Sequence, residues 1–401
     1  MSLVSNSLIQ KNTFYLILIF SNFIFFSLKA QVTIGSDEPP LNGALLDLKE
    51  IGTTKKGLNL PRVILTSLII PSGETSLSTT ISGATGAWEK DNHIGLLVYH
   101  VGKYDACDSQ SFPQGLYVWD GNKWQYIGQK PPRATEVEEF TDSRDGQVYL
   151  YRNFGTAGDW MLENMRYIDA SFTAGTGSDD LTGRHYAYPK VNTDPSTPGT
   201  IPSSWRLEQG LLYSYSAATL GEQAEETVDQ GQGEADEGPS IPIQGICPQG
   251  WHIPSDREWN DLEREIYNNA ETYSQYTSAN GLPFNPTTWD NIWETTDNPR
   301  GSDSSEGHGK AMLSTCPPVN SPYGITEGKS LTIEQGGFNA LLTGTITDEL
   351  DFAYGQGAVF YTSSVQEERA WIRYLYRQGS AVVRGTYPRN ALFSIRCKRN
   401  N

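Results

Sequence analysis

An apolar run over residues 14–28 follows a polar opening that ends at Lys11, and the small residue Ala30 follows the run. This order is typical of a secretory signal peptide, so we predict that residues 1–30 are removed after export. The run has about 15 residues, short of the roughly 20 that cross a bilayer as a helix; an uncleaved anchor is the alternative. We therefore expect the rest of the chain to fold outside the cytoplasm, secreted or at the cell surface in association with the outer membrane.

The chain has four cysteines, and all of them lie beyond the predicted signal peptide. An even number in an exported chain favours disulfides, and four cysteines allow three pairings. No pair has the spacing of metal ligands, and the five histidines are scattered, so we expect no zinc site and no cofactor. The cysteines are Cys107, Cys247, Cys316 and Cys397.

The net charge of −17 becomes −17 − 2 = −19 once the predicted signal peptide and its two lysines are removed. A chain this acidic repels nucleic acid and anionic lipid, so neither is an expected partner. No later segment has the 18 consecutive apolar residues of a membrane-spanning helix. We therefore expect no membrane span after signal cleavage.

Turn and linker signals divide the exported chain into a β-rich module at 31–128, a proline-containing linker at 129–139 and a larger domain at 140–401. In the module, Asp120-Gly121-Asn122 separates two aromatic segments and predicts a hairpin. Trp119 and Trp124 flank this turn, where cross-strand packing is favoured over ligand stacking.

One helix of the larger domain is well marked. Ser255 and Glu258 form a Ser-x-x-Glu capping box, and Trp259, Leu262 and Ile266 follow on one face. We therefore predict a helix that begins after Ser255 and buries Trp259.

The end of the chain alternates in the way of antiparallel strands, with Cys397 on the inward face of the last one. The predicted strands cover 360–364, 370–376, 380–384 and 391–397. Two polar stretches, 222–237 and 268–305, are predicted to be surface loops. The second contains Trp289 and Trp293, which are candidates for ligand binding if exposed and for loop packing otherwise.

Five short motifs follow one another in the module at 31–128: 32–35 (VTIG), 43–48 (GALLDL), 56–63 (KGLNLPRV), 95–99 (GLLVY) and 119–124 (WDGNKW). In these motifs the module resembles an N-terminal module of surface and tail-fibre-like proteins of Bacteroidetes bacteria, where it is thought to form a projecting stalk. The resemblance implies that the protein can form oligomers through this module.

Seven short motifs follow one another along the larger domain: 145–149 (DGQVY), 160–166 (WMLENMR), 210–218 (GLLYSYSAA), 247–256 (CPQGWHIPSD), 337–341 (GFNAL), 361–364 (YTSS) and 395–398 (IRCK). In this order of motifs the domain resembles the Fibrobacter succinogenes major paralogous domain of exported bacterial proteins, over about 255 residues.

That family is similar in turn to the C-type-lectin-like scaffold, so the resemblance implies an α+β fold. In such a fold one or two helices lie beside a twisted antiparallel sheet with long loops. It also implies a disulfide between Cys247 and Cys397, and Cys316 then either pairs with Cys107 or stays free.

The sequence offers little chemistry beyond this scaffold. The triplet Trp259-Asn260-Asp261 matches a calcium-binding triplet of sugar-binding lectins, but it lies on the predicted helix instead of a late strand. The acidic stretch 222–237 lacks a calcium-loop pattern, and no nucleophile motif appears. We therefore expect a non-catalytic recognition or adhesion protein for a glycan or protein ligand; the alternative is a fibre- or pilus-like structural subunit.

Overall fold

The computed structural model describes residues 32–34, 46–48, 58–71, 73–102, 107, 112–128, 133–175, 181–194, 196–221, 242–277, 282–296, 299–301, 305–347 and 353–400. The predicted signal peptide and the acidic stretch 222–237 lie outside these residues. The described chain is mainly sheet with four short α-helices, consistent with the predicted α+β class. None of those helices has both the length and the apolar character needed to cross a membrane.

The four α-helices are α1 Tyr215–Ala218, α2 Asp256–Asn268, α3 Ala270–Tyr273 and α4 His308–Met312. Short 3-10 helices cover Leu77–Thr80, Lys90–His93, Gly155–Ala157, Leu207–Gln209, Asn291–Thr295 and Ile333–Gln335.

The strands, in chain order, are β1 Val32–Ile34, β2 Leu46–Leu48, β3 Arg62–Val63, β4 Leu97–His100, β5 Gly115–Trp119, β6 Trp124–Tyr126, β7 Val137–Thr141, β8 Val148–Asn153, β9 Asp159–Met161, β10 Thr173–Ala174, β11 His185–Ala187, β12 Leu212–Tyr213, β13 Trp251–His252, β14 Pro299–Arg300, β15 Gly357–Gln366, β16 Arg369–Tyr376, β17 Val382–Pro388 and β18 Lys398–Arg399.

The chain divides into two compact units, Met1–Pro61 and Arg62–Asn401. In the first, β1 and β2 pair in parallel, with Val32 opposite Leu46. The division falls inside the predicted module 31–128, so residues 62–128 are grouped with the larger domain. The disulfide between Cys107 and Cys316 is a physical reason for that grouping. The module boundaries themselves stay a prediction.

Residues 62–128 form a small four-stranded sheet in the order β3-β4-β5-β6. The predicted hairpin is confirmed, because β5 and β6 pair antiparallel with Trp119 opposite Trp124. Both indoles are buried, and their ring centroids lie 5.6 Å apart. The two tryptophans therefore pack across the strands, as the sequence favoured.

The predicted linker 129–139 is wrong at its C-terminal end. Val137–Thr141 is strand β7, which pairs antiparallel with β8 at the edge of the sheet β13-β18-β9-β8-β7. Val137 is buried, and the Tyr151 hydroxyl donates to the Glu138 carboxylate at 2.6 Å. Val137 lies on the buried face of this strand, because successive side chains of a strand point to opposite sides of the sheet. The polar composition of 129–139 gives no indication of the strand.

Helix α2 packs against two sheets of the larger domain. The Trp259 ring lies 5.3 Å from Trp160 of β9 and 5.3 Å from Phe360 of β15. Trp259, Leu262 and Ile266 are all fully buried, which confirms the predicted apolar face. Side chains at these spacings lie on one side of a helix, so α2 joins the five-stranded sheet to the sheet β14-β17-β16-β15.

Strand β15 separates two apolar cores. Ala358 and Phe360 point into the core around α2, whereas Val359 and Tyr361 point into a second core around Cys247 and Cys397. Successive strand residues face opposite sides of a sheet. With both faces covered, β15 therefore forms a nearly continuous buried run.

The predicted last strand, 391–397, needs correction. Only Lys398–Arg399 beyond it forms ladder strand β18, whereas Leu392, Phe393 and Ser394 make isolated bridges to three different segments. The predicted burial of Cys397 is confirmed. Other segments of the chain pack against 391–397 on both sides. The segment is therefore buried throughout, although no single strand pairs with it along its length.

Candidate functional site

Helix α2 carries a buried polar stripe beside its apolar face. Asp256, Asn260 and Glu263 are spaced by four and three residues and are fully buried. They meet three arginines from β14, β16 and β17, which are Arg300, Arg373 and Arg384. The sequence patterns do not predict this stripe.

Glu263 is the centre of this buried cluster. Its carboxylate accepts from the Arg373 Nε at 2.6 Å, from the Arg300 guanidinium, and from the His308 Nε2 at 2.9 Å. Burial alone would raise the pKa of Glu263, but the charges of Arg300 and Arg373 outweigh it and hold that pKa far below its usual range. Glu263 is therefore ionised and fully paired.

Asp256 completes the pairing on the other side of the cluster. It accepts from Arg373 at 2.7 Å and from the Arg384 Nη2 at 2.8 Å. Burial opposes ionisation, yet the positive charges of Arg373 and Arg384 bring the pKa of Asp256 down to about 2. Because the carboxylates and most of these arginines are closed off from solvent, the cluster orients α2 on the sheet and offers no route for a ligand.

The predicted cap of α2 is confirmed. The Glu258 N–H donates to the Ser255 hydroxyl at 3.2 Å, and the Ser255 N–H donates to the Glu258 carboxylate at 2.8 Å. The same carboxylate accepts from Lys398 at 2.8 Å and lies 2.9 Å from the His252 Nε2. The helix start is thus tied to β13 and β18, so His252 has a structural contact.

The two candidate tryptophans lie where the packing alternative predicted. Trp289 is 8% exposed, and its Nε1 donates to Glu294 at 3.0 Å. Trp293 is partly buried against the same core, with its ring 5.1 Å from Trp289. The ring of Trp289 is therefore not available as an exposed stacking surface, and a binding role for Trp293 stays a prediction.

Both disulfides are present. Cys247 pairs with Cys397, as the resemblance implied, and Cys107 pairs with Cys316, which was one of the two alternatives for those residues. Two disulfides are typical of proteins that fold outside the cytoplasm.

A cleft of about 300 Å³ opens elsewhere in the larger domain, lined chiefly by described residues of 187–192, 196–200, 343–347 and 353–354. Eight hydroxyl-bearing side chains line it, and Lys190 is the one charged side chain among its described lining residues. The hydroxyl-bearing residues are Tyr188, Ser196, Thr197, Thr200, Thr343, Thr345, Thr347 and Tyr354.

The walls of the cleft are braced by contacts behind them. The Tyr188 ring packs edge-on against Trp205 with centroids 5.2 Å apart. The Tyr354 hydroxyl donates to the Val319 carbonyl at 2.9 Å and accepts from Gln209 at 2.7 Å. The Lys190 ammonium donates to backbone carbonyls of the 194–196 turn. The volume of about 300 Å³ lies at the lower end of the range of small-molecule sites.

The described residues hold no group of three or more His, Cys, Asp or Glu side chains that could bind a metal ion. Asn260 of the lectin-like triplet instead accepts from Arg373 at 2.9 Å and donates to the Glu294 carbonyl. Its amide is thus occupied within the buried cluster.

Residues 156–399, more than half of the chain, match the family model of the Fibrobacter succinogenes major domain. The chain belongs to this family. Residues 33–141 also match the model of a phage tail like trimerisation region, which agrees with the resemblance of the N-terminal module to tail-like proteins. No curated protein and no solved structure matches the chain.

The Fibrobacter succinogenes major domain of this chain contains the cleft, the buried cluster and the disulfide between Cys247 and Cys397. The match to the trimerisation region indicates an oligomer formed through the N-terminal part of the chain. Together the two matches indicate a surface or structural protein.

Sequence reasoning missed the cleft. Its walls come from segments more than 140 residues apart in the chain, and each contributes ordinary threonine, serine and tyrosine residues. The one available signal was the density of hydroxyl-bearing residues over 193–204 (TDPSTPGTIPSS), which is also the composition of any polar loop.

Proposed function

We propose that this protein is an exported, non-catalytic recognition protein whose major domain binds a neutral carbohydrate in the cleft lined by Tyr188 and Tyr354. The observation that carries the proposal is the lining of the cleft, which combines many hydroxyls with aromatic carbon and little charge.

A carbohydrate fits this lining for two physical reasons. Sugar hydroxyls exchange hydrogen bonds with Thr, Ser and Asn side chains, which both donate and accept. The apolar face of a sugar ring packs on the carbon surface of an aromatic side chain. Tyr188 and Tyr354 supply such rings. Anionic ligands fit less well, because the Lys190 ammonium is already engaged by backbone carbonyls.

The non-catalytic part of the proposal rests on the same lining. General acid–base chemistry near neutral pH needs a group such as His, Asp or Glu within hydrogen-bond reach of the substrate. The described lining contains none of these. Burial raises the pKa of Tyr188 and of Tyr354, which keeps both phenols protonated at neutral pH.

The test is binding of the purified protein to an array of neutral and anionic glycans. We expect binding to neutral glycans, weakened about tenfold or more by Tyr188→Ala, which is a loss of about 1.4 kcal/mol. Ala187→Trp, which fills the cleft, should abolish it. Tyr376→Ala is the matched control, because Tyr376 is an exposed tyrosine outside the cleft.

Thermal unfolding of each variant separates lost binding from lost folding. If the folded wild-type protein binds no glycan on the array, the proposal is overturned. Binding that survives both Tyr188→Ala and Ala187→Trp would move the site away from the cleft.

A structural subunit without a soluble ligand is the second candidate function. The match of residues 33–141 to a phage tail like trimerisation region favours it. Light scattering distinguishes the two candidate functions. A fibre subunit assembles into species larger than a closed oligomer, whereas a displayed recognition protein forms a closed oligomer and grows no further.

A further inference from the structure

The small sheet β3-β4-β5-β6 has an apolar outer face as well as an apolar inner one. The inner face belongs to an apolar core, in which its side chains Val98, Tyr117, Trp119 and Trp124 are buried. On the outer face Leu97 lies opposite Val118, and Tyr99 lies opposite Leu116. Gln125 of the edge strand β6 lies opposite Val118 and forms a polar margin of this face. The N–H of Ile127 donates to the Leu116 carbonyl, which continues the outer row beyond β6.

Three of these outer side chains are exposed, whereas Leu116 and Val118 are half-buried. Leu97 is 37%, Tyr99 43% and Ile127 48% exposed. An antiparallel sheet with one free face normally presents alternating polar residues to water. A contiguous apolar face on such a sheet indicates a surface that another molecule covers.

Exposed apolar side chains are concentrated in this part of the chain. Of the seventeen large hydrophobic residues exposed among the described residues, ten lie at or before Ile127 and seven are spread from Val148 to Tyr376. Single exposed hydrophobic residues are normal on any surface. The cross-strand pairs on β4 and β5 place Leu97 and Tyr99 of this set in one patch with Leu116 and Val118.

Charged groups lie at the margins of the patch. Arg62 pairs with Tyr99 at one edge, and Asp120 and Lys123 lie at the hairpin turn. An apolar centre with a polar rim is the arrangement of protein interfaces. In a chain of net charge −17, an uncharged centre also lets identical copies approach with the least electrostatic repulsion.

We propose that the outer face of the sheet β3-β4-β5-β6 is the surface through which three copies of this chain associate. The occupant is a second copy because residues 33–141, which contain the whole sheet, match a trimerisation region, and because the patch lacks the charge that a basic or acidic partner would need. The inference goes beyond the carbohydrate proposal and does not depend on it.

The test is the mass of the purified protein in solution, measured by sedimentation or light scattering over a range of micromolar concentrations. We expect a trimer for the wild type. Leu97→Asp combined with Tyr99→Asp puts two charges at the centre of the patch and should give monomers, with the association weakened at least a hundredfold. Tyr99→Phe should stay trimeric.

Ile325→Asp is the matched control, because Ile325 is 83% exposed in the major domain and lies outside the patch. Retention of the trimer by Ile325→Asp, with loss in the double variant, supports the interface. Near-ultraviolet circular dichroism of the buried pair Trp119 and Trp124 reports whether the sheet itself stays folded.

Three results overturn the proposal. The first is a monomeric wild type with exposed patch residues. The second is a monomer in which tyrosine-selective chemical labelling leaves Tyr99 unmodified, which means that the chain covers its own patch. The third is a trimer that persists in the folded double variant.

Discussion

Removing the charge of Glu263 should destabilise the major domain more than any surface substitution. Glu263→Gln keeps the shape of the side chain but leaves Arg300 and Arg373 facing a neutral amide. Arg373 retains Asp256, whereas Arg300 retains the uncharged carbonyl of Trp293. The substitution therefore leaves buried positive charge that is only partly compensated.

The magnitude follows from the complete burial of the partners. Arg300, Arg373 and Glu263 have side chains that are 0% exposed. Breaking one partner of a buried ion pair costs about 3–5 kcal/mol, because the remaining charge has neither water nor a counter-ion. At about 2–4 °C per kcal/mol for a domain of this size, the melting temperature should fall by about 6–20 °C.

The assay is thermal and urea unfolding of wild type and variant, followed by circular dichroism. Glu139→Gln is the matched control, since it breaks an exposed pair with Arg133 whose side chains are 54% and 39% exposed. Such pairs contribute about 0–1 kcal/mol. A loss of stability in Glu263→Gln no larger than that in Glu139→Gln would refute the argument that this cluster holds α2 on its sheet.

Three further predictions concern the same domain. The pKa of Asp256 falls from 3.8 to about 2 on folding. The contribution of this carboxylate to the free energy of unfolding is therefore complete above about pH 4 and is lost as the pH falls towards 2. The stability gap between wild type and Asp256→Asn, about 2 kcal/mol or more near neutral pH, should therefore narrow in acid urea titrations. Replacing both Cys247 and Cys397 by alanine should lower the free energy of unfolding by about 2–5 kcal/mol, since the bridge closes a separation of 150 residues. Ser255→Ala should cost about 1 kcal/mol through the lost cap, measured by urea unfolding.

Local features of the fold were predictable from the sequence. The cap of α2 and the hairpin around Asp120 depend on residues within a few positions of each other, and both are confirmed. The strands at 360–364 and 370–376 were predicted for the same reason, although β15 and β16 extend further. Strand β7 at the end of the predicted linker was not predicted, because its buried face depends on the single valine Val137. A lone valine among polar residues does not by itself indicate a strand.

The candidate site was not predictable in this way. The sequence directed attention to Trp289 and Trp293 because they interrupt a polar stretch, and the structure places Trp289 in the core instead. The cleft contains no residue type that marks a binding site by itself. Its shape depends on two loops that approach only when the sheets between them are assembled.

The sequence alone determined where short-range order begins, because capping, turn formation and the spacing of apolar side chains involve neighbours along the chain. The tertiary structure alone decided which buried charges meet and which segments form the cleft. Arg373 and Asp256 are 117 residues apart, and Cys107 and Cys316 are 209 apart. Contacts across such separations depend on how sheets and helix pack together, and no local pattern of residues encodes which of many polar side chains will face each other.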